Sequence, residues 1–206
     1  MNKILNIFFY FLVGFSLCII MGFSYKKSIM IPINNVKINI KKVNNSFFIT
    51  DKEVRTILNL NNDTVLNLLT KDLNLYELEK KLDKNPFVKK SQIFFSNTNL
   101  FVNVSQEEPL FRLVSNNNHY LVTSNGTLLP ISKNYTPYLV VVYASKSQIN
   151  DILYLVKELQ KDAFYKQSIY DITFDKNIVL STRLGSYKIN INNMNDISKK
   201  LNLFKK

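Results

Sequence analysis

Very few side chains in this sequence have the chemistry of a catalytic or metal-binding site. His119 is the single histidine and Cys18 the single cysteine, so one chain cannot form a disulfide, a thiolate–metal site or a histidine-based metal cluster. A Ser-His-acid triad would depend on His119 alone, and no Ser or Cys near it lies in the sequence context of a nucleophile elbow. We therefore interpret His119 as a solvated strand residue, with a general-base role as the alternative.

Glu107 and Glu108 form an adjacent carboxylate pair, a residue type that can serve general acid and base catalysis. Adjacent residues of a strand point to opposite faces of a sheet, so we interpret the pair as a polar strand end before Pro109. The chain has four glycines and none is clustered, which excludes a glycine-rich phosphate loop. These residues predict no catalytic residue, no metal, no cofactor and no small-molecule substrate, and thus a protein that is not an enzyme.

The charge balance is strongly basic but does not indicate nucleic acid. The 27 Lys and Arg residues exceed the 15 Asp and Glu residues, for a net charge of +12, yet only Arg55, Arg112 and Arg183 are arginines. Arg is the residue best suited to bidentate contacts with phosphate and guanine. Because the basic residues are spread along the chain, we interpret them as parts of solvent-exposed faces. They could also give weak attraction to an anionic membrane surface.

The longest uncharged segment lies near the N-terminus. From Ile4 to Tyr25 there is no Asp, Glu, Lys or Arg. About 20 residues of helix cross a hydrocarbon core of about 30 Å, so we predict a transmembrane helix at 4–25 after a short tail at 1–3. No small-x-small cleavage motif follows the segment, which favours an uncleaved anchor over a signal peptide.

The charges that flank this segment leave its orientation open. Lys3 precedes it, and five lysines follow it closely: Lys26, Lys27, Lys37, Lys41 and Lys42. Counted by the positive-inside rule, these lysines favour a cytoplasmic location for the large C-terminal part, although a folded domain can be translocated largely regardless of its charge.

Residues 36–105 contain the pattern strand, helix, helix, strand, strand. Apolar and polar residues alternate at 36–40, as in a half-buried strand. Thr50 and Glu53 form a capping box that begins a helix at 51–59. Asn74 caps a second helix, which Asn85-Pro86 ends. Strands then follow at 88–95 and 100–105, joined by a hairpin loop.

The second half alternates short strands with two amphipathic helices. Strands are predicted at 119–123, 139–143, 169–174, 178–182 and 187–191, and helices at 148–162 and 195–204. Asn125-Gly126 between apolar runs predicts a hairpin turn. The fold class is therefore α+β, with a mostly β second domain and flanking helices.

The order and spacing of these segments resemble a POTRA domain followed by the β domain of the FtsQ/DivIB family of bacterial cell-division proteins. The motifs that carry the resemblance are Asn85–Val88, Ile93–Leu100, Val102–Pro109, Tyr120–Val122 with Gly126, Leu129–Ser132 and Leu180–Gly185. The resemblance implies a POTRA domain at 36–110 and an FtsQ-like β domain at 111–206. It also implies a single-pass protein of the inner membrane at the division septum, with a cytoplasmic N-terminus and the bulk of the chain extracytoplasmic.

The resemblance further implies a scaffold that links early and late division proteins. Its expected partners are membrane-anchored coiled-coil proteins of the FtsB/DivIC and FtsL types, bound through the C-terminal strands by β-augmentation. The family usually continues past the last helix into further strands, whereas this sequence ends at Lys206. Either the protein is naturally short or its C-terminus has been lost; if it is naturally short, the strand 187–191 is the expected binding edge. The candidate partner-binding residues are Ile178, Leu180, Arg183, Tyr187, Ile189 and Ile191.

Two other protein classes remain open at this point. A POTRA-containing envelope chaperone or outer-membrane assembly factor would usually carry several POTRA repeats or a β-barrel. A membrane-anchored envelope enzyme would have to depend on His119.

Overall fold

The chain forms two compact units, each with helices and a β-sheet. The computed structural model describes residues 2–29, 31–42, 47–60, 68–185 and 187–204. The first unit comprises Met1–Lys41 and Ile49–Ser105, and the second comprises Lys42–Phe48 and Gln106–Lys206. The α+β class expected from the sequence is confirmed in both units.

The N-terminal segment forms one long helix, α1 (Asn2–Ile29), of 28 residues. Its side chains are described for residues 7–22 and 24, so residues 4–6, 23 and 25 of the predicted span lie outside them. Large apolar and aromatic side chains are exposed along it, namely Ile7, Phe8, Phe9, Tyr10, Phe11, Leu12, Val13, Phe15, Leu17, Ile19, Ile20 and Met21. Within the described residues, no helix combines the length and the apolar composition that crossing a membrane requires.

Two described helices that follow β1 (Asn35–Lys41) begin as their sequences predict. Helix α2 (Asp51–Leu58) has the complete capping box: Glu53 N–H donates to Thr50 Oγ1 at 3.3 Å, and Thr50 N–H donates to Glu53 Oε2 at 2.8 Å. Helix α3 (Leu75–Asp83) begins where Glu77 N–H donates to Asn74 Oδ1 at 3.3 Å. A short 3₁₀ turn, Thr70–Asp72, precedes α3.

A three-stranded sheet completes the first unit. Its strands are β1 (Asn35–Lys41), β2 (Val88–Ser96) and β3 (Asn99–Gln106), in the spatial order β1-β3-β2. Strands β1 and β3 are parallel, and both described helices lie between them in sequence, because a parallel pair requires a crossover. The predicted order of strand, helix, helix, strand, strand is confirmed. Leu100, Val102 and Val104 are fully buried on one face of β3, as their alternation predicts.

Seven strands form the mixed sheet of the second unit. They are β4 (Pro109–Ser115), β5 (Asn118–Thr123), β6 (Leu128–Leu129), β7 (Val141–Tyr143), β8 (Ile169–Phe174), β9 (Ile178–Thr182) and β10 (Lys188–Ile191). Their spatial order is β10-β9-β8-β7-β4-β5-β6. Strand β7 is parallel to both β4 and β8, and the other pairs are antiparallel.

Strand β4 is absent from the sequence-based prediction. Phe111 and Leu113 are buried and Leu110 and Val114 are half-buried, so apolar residues occupy both faces and hide the alternation. Its hairpin with β5 turns at Asn116 and Asn117, whose φ angles are 49° and 64°. Two positive φ angles in a two-residue loop are typical of a type I′ hairpin.

Three helices lie in the described part of the second unit. They are α4 (Ile149–Gln160), α5 (Ala163–Ser168) and α6 (Ile197–Phe204), and a 3₁₀ turn, Lys146–Gln148, precedes α4. Helix α4 buries Ile152, Leu153, Val156 and Leu159 in the core, as their spacing predicts, and it also buries Leu155. The six-residue α5 is absent from the prediction. Helices α4 and α5 together connect the parallel strands β7 and β8.

The segment 42–48 lies between β1 and α2 in sequence but belongs to the second unit. Phe48 is buried there: its N–H donates to Gln106 Oε1 at 2.7 Å, and its carbonyl accepts from Asn134 Nδ2 at 3.1 Å. Its ring packs edge-on against Tyr135 with centroids 5.4 Å apart. The sequence predicts a turn at Asn44, Asn45 and Ser46, which lies outside the described residues.

Candidate partner-binding surface

Strand β10 lies at one end of the described seven-stranded sheet. It pairs antiparallel with β9, and the register places Ile189 opposite Leu180 and Ile191 opposite Ile178. A strand at the end of a sheet has one side on which its N–H and C=O groups are not bonded within the sheet. In the described chain that side of β10 is the candidate surface for binding a partner.

Three of the six predicted partner-binding residues have buried side chains. Ile178, Leu180 and Ile191 are 4%, 0% and 2% exposed and belong to the core of the second unit. Their contribution in this structure is to hold β9 and β10 in place through packing. Contacts between side chains that lie opposite each other on one face stabilise two adjacent strands.

Tyr187 and Ile189 both lie at the edge of the sheet but differ in exposure. Tyr187 precedes β10 and is 76% exposed, whereas Ile189 is half-buried against the core. Lys188 and Asn190 alternate with them and are exposed. The edge therefore offers a large aromatic ring at its start and polar side chains along its length.

The backbone geometry shows which peptide groups of β10 face outward. Thr182 N–H donates to the Tyr187 carbonyl at 3.2 Å, so these two residues are a hydrogen-bonded pair. Hydrogen-bonded and non-hydrogen-bonded pairs alternate along antiparallel strands. It follows that Ile189 bonds to β9, while the N–H and C=O groups of Lys188 and Asn190 point away from the sheet.

The turn between β9 and β10 is held by one side-chain hydrogen bond and one backbone hydrogen bond. Thr182 Oγ1 donates to the Tyr187 carbonyl at 3.1 Å, and Arg183 N–H donates to the Ser168 carbonyl at 2.8 Å. Gly185 has a φ of 75°, which glycine adopts without steric cost. These bonds fix the position from which Tyr187 begins the edge.

A shallow groove runs beside β10. It has a volume of about 270 Å³ and is lined by Asn190, Ile191, Asn192, Asn193, Lys200 and Leu203. Lys200 Nζ donates to the carbonyl and to Oδ1 of Asn193, at 3.1 and 2.6 Å. Leu203 of α6 is 70% exposed, so the groove has an apolar wall next to the edge strand.

Arg183, the sixth predicted partner-binding residue, does not line the groove beside β10. Its guanidinium carbon is 4.8 Å from the ring centroid of Tyr138 and 5.9 Å from that of Tyr170. It lines a separate cavity together with Lys166. Sequence reasoning missed Tyr138, Tyr170 and Lys166, because no motif joins residues so far apart in the chain.

The residues that the sequence suggested as candidates for catalysis are dispersed in the structure. His119 is exposed on β5, and Glu107 and Glu108 lie between β3 and β4. The described part of the chain contains no group of three or more His, Cys, Asp and Glu residues that could hold a metal ion.

One carboxylate does have a perturbed pKa, and its role is structural. Glu158 on α4 accepts from Lys161 Nζ, and its Oε2 accepts from Ser198 Oγ at 2.8 Å. The hydrogen bond from Lys161 lowers the pKa of the Glu158 carboxyl below its ordinary value, and the hydrogen bond from Ser198 lowers it further by a smaller amount. Glu158 thereby joins α4 to the start of α6.

Two protein-family models match the chain. A model of a POTRA-like domain matches residues 33–105. A model described as FtsQ/DivIB, C-terminal related, matches residues 108–206. Apart from residues 42–48, which belong to the second unit, the two matches follow the division of the chain into two units.

Comparison with solved structures finds similarity to the major extracytoplasmic domain of the trans isomer of the bacterial cell-division protein DivIB from Geobacillus stearothermophilus. The sequences are 13% identical, the similarity covers 47% of this chain and 86% of that chain, and the TM-score is 0.36. A comparison with curated proteins finds no match.

Proposed function

The chain is a member of the FtsQ/DivIB-related proteins, and on that premise we propose that it is a bacterial cell-division scaffold without catalytic activity. It links early and late division proteins at the septum through protein–protein contacts. The observation that carries the proposal is the family match over residues 108–206, which form nearly the whole of the second unit.

The second unit is what distinguishes this function from that of an envelope assembly factor. A POTRA-like unit by itself fits either class. The FtsQ/DivIB-related match favours the division role. The domain limits of 36–110 and 111–206 remain predictions.

The partners we propose are membrane-anchored coiled-coil proteins of the FtsB/DivIC and FtsL types. They add a strand to β10, whose outward backbone groups at Lys188 and Asn190 supply the main-chain bonds. Main-chain hydrogen bonds give such complexes their affinity, and side-chain pockets give specificity. Tyr187 and the groove beside Leu203 supply the apolar contacts.

We also propose that α1 anchors the chain in the inner membrane, with residues 1–3 in the cytoplasm and both folded units outside. The support is the exposed apolar surface of residues 7–22. Its helix is about 42 Å long at 1.5 Å per residue, enough for a core of about 30 Å.

The test replaces Asn190 by proline and measures co-purification with the FtsB/DivIC-type and FtsL-type proteins of the same cell. Proline removes an outward N–H that β9 does not use, and edge strands accept it in that position. We expect the partner yield to fall at least about tenfold while the thermal unfolding midpoint changes little.

Two further variants serve as controls. Asn190→Ala keeps the N–H and should retain the partner. Ile189→Pro removes a bond to β9 and should lower the unfolding midpoint as well as the partner yield. Undiminished co-purification of Asn190→Pro would show that β10 is not the binding edge.

A further inference from the structure

A second pocket opens at the end of the sheet where β4, β7 and β8 begin and β9 ends. Leu110, Val140 and Ile169 line its sheet side, and Val156 and Leu159 of α4 line the other. Its walls are therefore mostly aliphatic. None of the residues of β10 contributes to it.

The size of the pocket suits one side chain. Its volume is about 130 Å³. Cavities of about 150 Å³ with aliphatic and aromatic walls accept a benzene-sized group. A leucine, isoleucine or phenylalanine side chain therefore fits, whereas a whole lipid chain or nucleotide does not.

Two cationic side chains line the pocket, and none of its described lining residues is a carboxylate. Arg183 and Lys166 both line it. Among the residues that the structure describes, neither is paired with an acidic side chain. The Arg183 guanidinium lies near the rings of Tyr138 and Tyr170, which favour its position by cation–π attraction.

We infer that this pocket binds a protein segment in which a large apolar residue is flanked by Asp or Glu. The apolar side chain fills the cavity, and the carboxylate pairs with Arg183 in the bidentate geometry that guanidinium groups favour. Tyr138, 79% exposed beside Arg183, supplies the aromatic contact. Tyr and Arg are enriched among the residues that dominate the energy of protein interfaces.

This site is independent of the β10 edge. It requires that the chain binds a protein, but not that the protein adds a strand to the sheet. Asn190→Pro should therefore leave the pocket occupied even if it abolishes binding at β10.

The test places the photo-crosslinking residue p-benzoylphenylalanine at Tyr138 of the full chain in growing cells. After irradiation, the cross-linked peptide is identified by mass spectrometry. We expect a protein segment with a large apolar residue at the cross-link and an Asp or Glu within about three residues of it. The matched control is the same residue at Tyr154, which is exposed on α4 but does not line the pocket.

A charge exchange then tests the ion pair. Arg183→Glu should lower the cross-link yield at Tyr138 at least about tenfold, a loss typical of a broken charge-assisted bond. Changing the acidic residue of the identified segment to Arg should restore the yield. A lipid adduct, no adduct, a segment without an acidic residue, or failure of the exchange to restore cross-linking would each overturn the inference.

Discussion

Glu158 connects two helices with hydrogen bonds that sequence alone does not reveal. Its partners, Lys161 and Ser198, are 3 and 40 residues away in the chain. We predict that Glu158→Gln lowers the free energy of unfolding by roughly 0.5–1 kcal/mol at pH 7, because Lys161 is exposed and solvent screens the pair. Chemical denaturation measures the change, with Lys157→Gln on the same helix as the control.

The same carboxylate predicts a pH dependence. Its pKa is lower in the folded chain than its ordinary value of 4.5, so the unfolded chain binds its proton more readily. The stabilisation is complete above about pH 4.5 and is lost as the pH falls through the lower, folded-state pKa. Unfolding midpoints of Glu158→Gln and the natural chain should therefore converge at acid pH, and a constant difference would contradict this account.

Gly126 offers a second residue-scale prediction. Its φ is 84°, and a Cβ added there would lie 3.1 Å from Leu153 Cδ1. We predict that Gly126→Ala costs about 1–2 kcal/mol in unfolding free energy, from backbone strain and crowding together. Gly185→Ala is the control, because its φ of 75° is similar but its closest contact, 3.4 Å from the Tyr187 ring, is ordinary. An equal loss at both positions would assign the whole effect to backbone strain.

The partner-binding residues show how far sequence reasoning reaches at this scale. Alternation predicts that Ile189 and Ile191 share a face, and they do. It also places Tyr187 on that face but does not say how far along the strand the packing extends, so the prediction groups buried Ile178 and Leu180 with exposed Tyr187. Burial depends on tertiary contacts that a two-residue period does not encode.

At the scale of elements, the stability of a short helix depends on its cap. Helix α2 has eight residues and depends on its capping box at Thr50. We predict that Thr50→Ala lowers the unfolding free energy of the chain by about 1 kcal/mol, the usual cost of losing a cap. Thr56→Ala should have little effect, since the Thr56 hydroxyl donates to the Lys52 carbonyl within the same helix and does not cap it. A comparable loss from both substitutions, measured by denaturation, would rule out the cap as the cause.

Elements with local signals were predicted, and elements without them were missed. The caps of α2 and α3 and the hairpin between β8 and β9 are readable because each depends on a few neighbouring residues. Strand β4 is half-buried on its second face as well, so its alternation is masked. Helix α5 has only six residues, too few for a helical period to be recognised.

At the scale of the whole molecule, the extent of each unit was not predictable. Residues 42–48 join the second unit through Phe48, whose hydrogen-bond partners lie 58 and 86 residues further along the chain. No local pattern encodes contacts at such separations. The class of each unit was predictable, because hydrophobic periodicity and turn residues act locally.

The exposed apolar helix gives a prediction for the location of the whole chain. We predict that the chain remains with the membrane fraction after a high-pH carbonate wash. Replacing both Phe11 and Phe15 by Lys should release much of it, because each lysine costs about 3 kcal/mol at the centre of a bilayer. Tyr76→Lys, at an exposed residue of α3, is the control and should leave the distribution unchanged. Release of the natural chain by the wash alone would contradict the proposed anchor.

The central claim is that this chain is a division scaffold at the septum. The most direct measurement is its position in dividing cells, by immunofluorescence of the full chain with an epitope tag after Lys206. The account predicts a band at mid-cell that appears before constriction begins. Uniform staining of the cell envelope throughout division would contradict it.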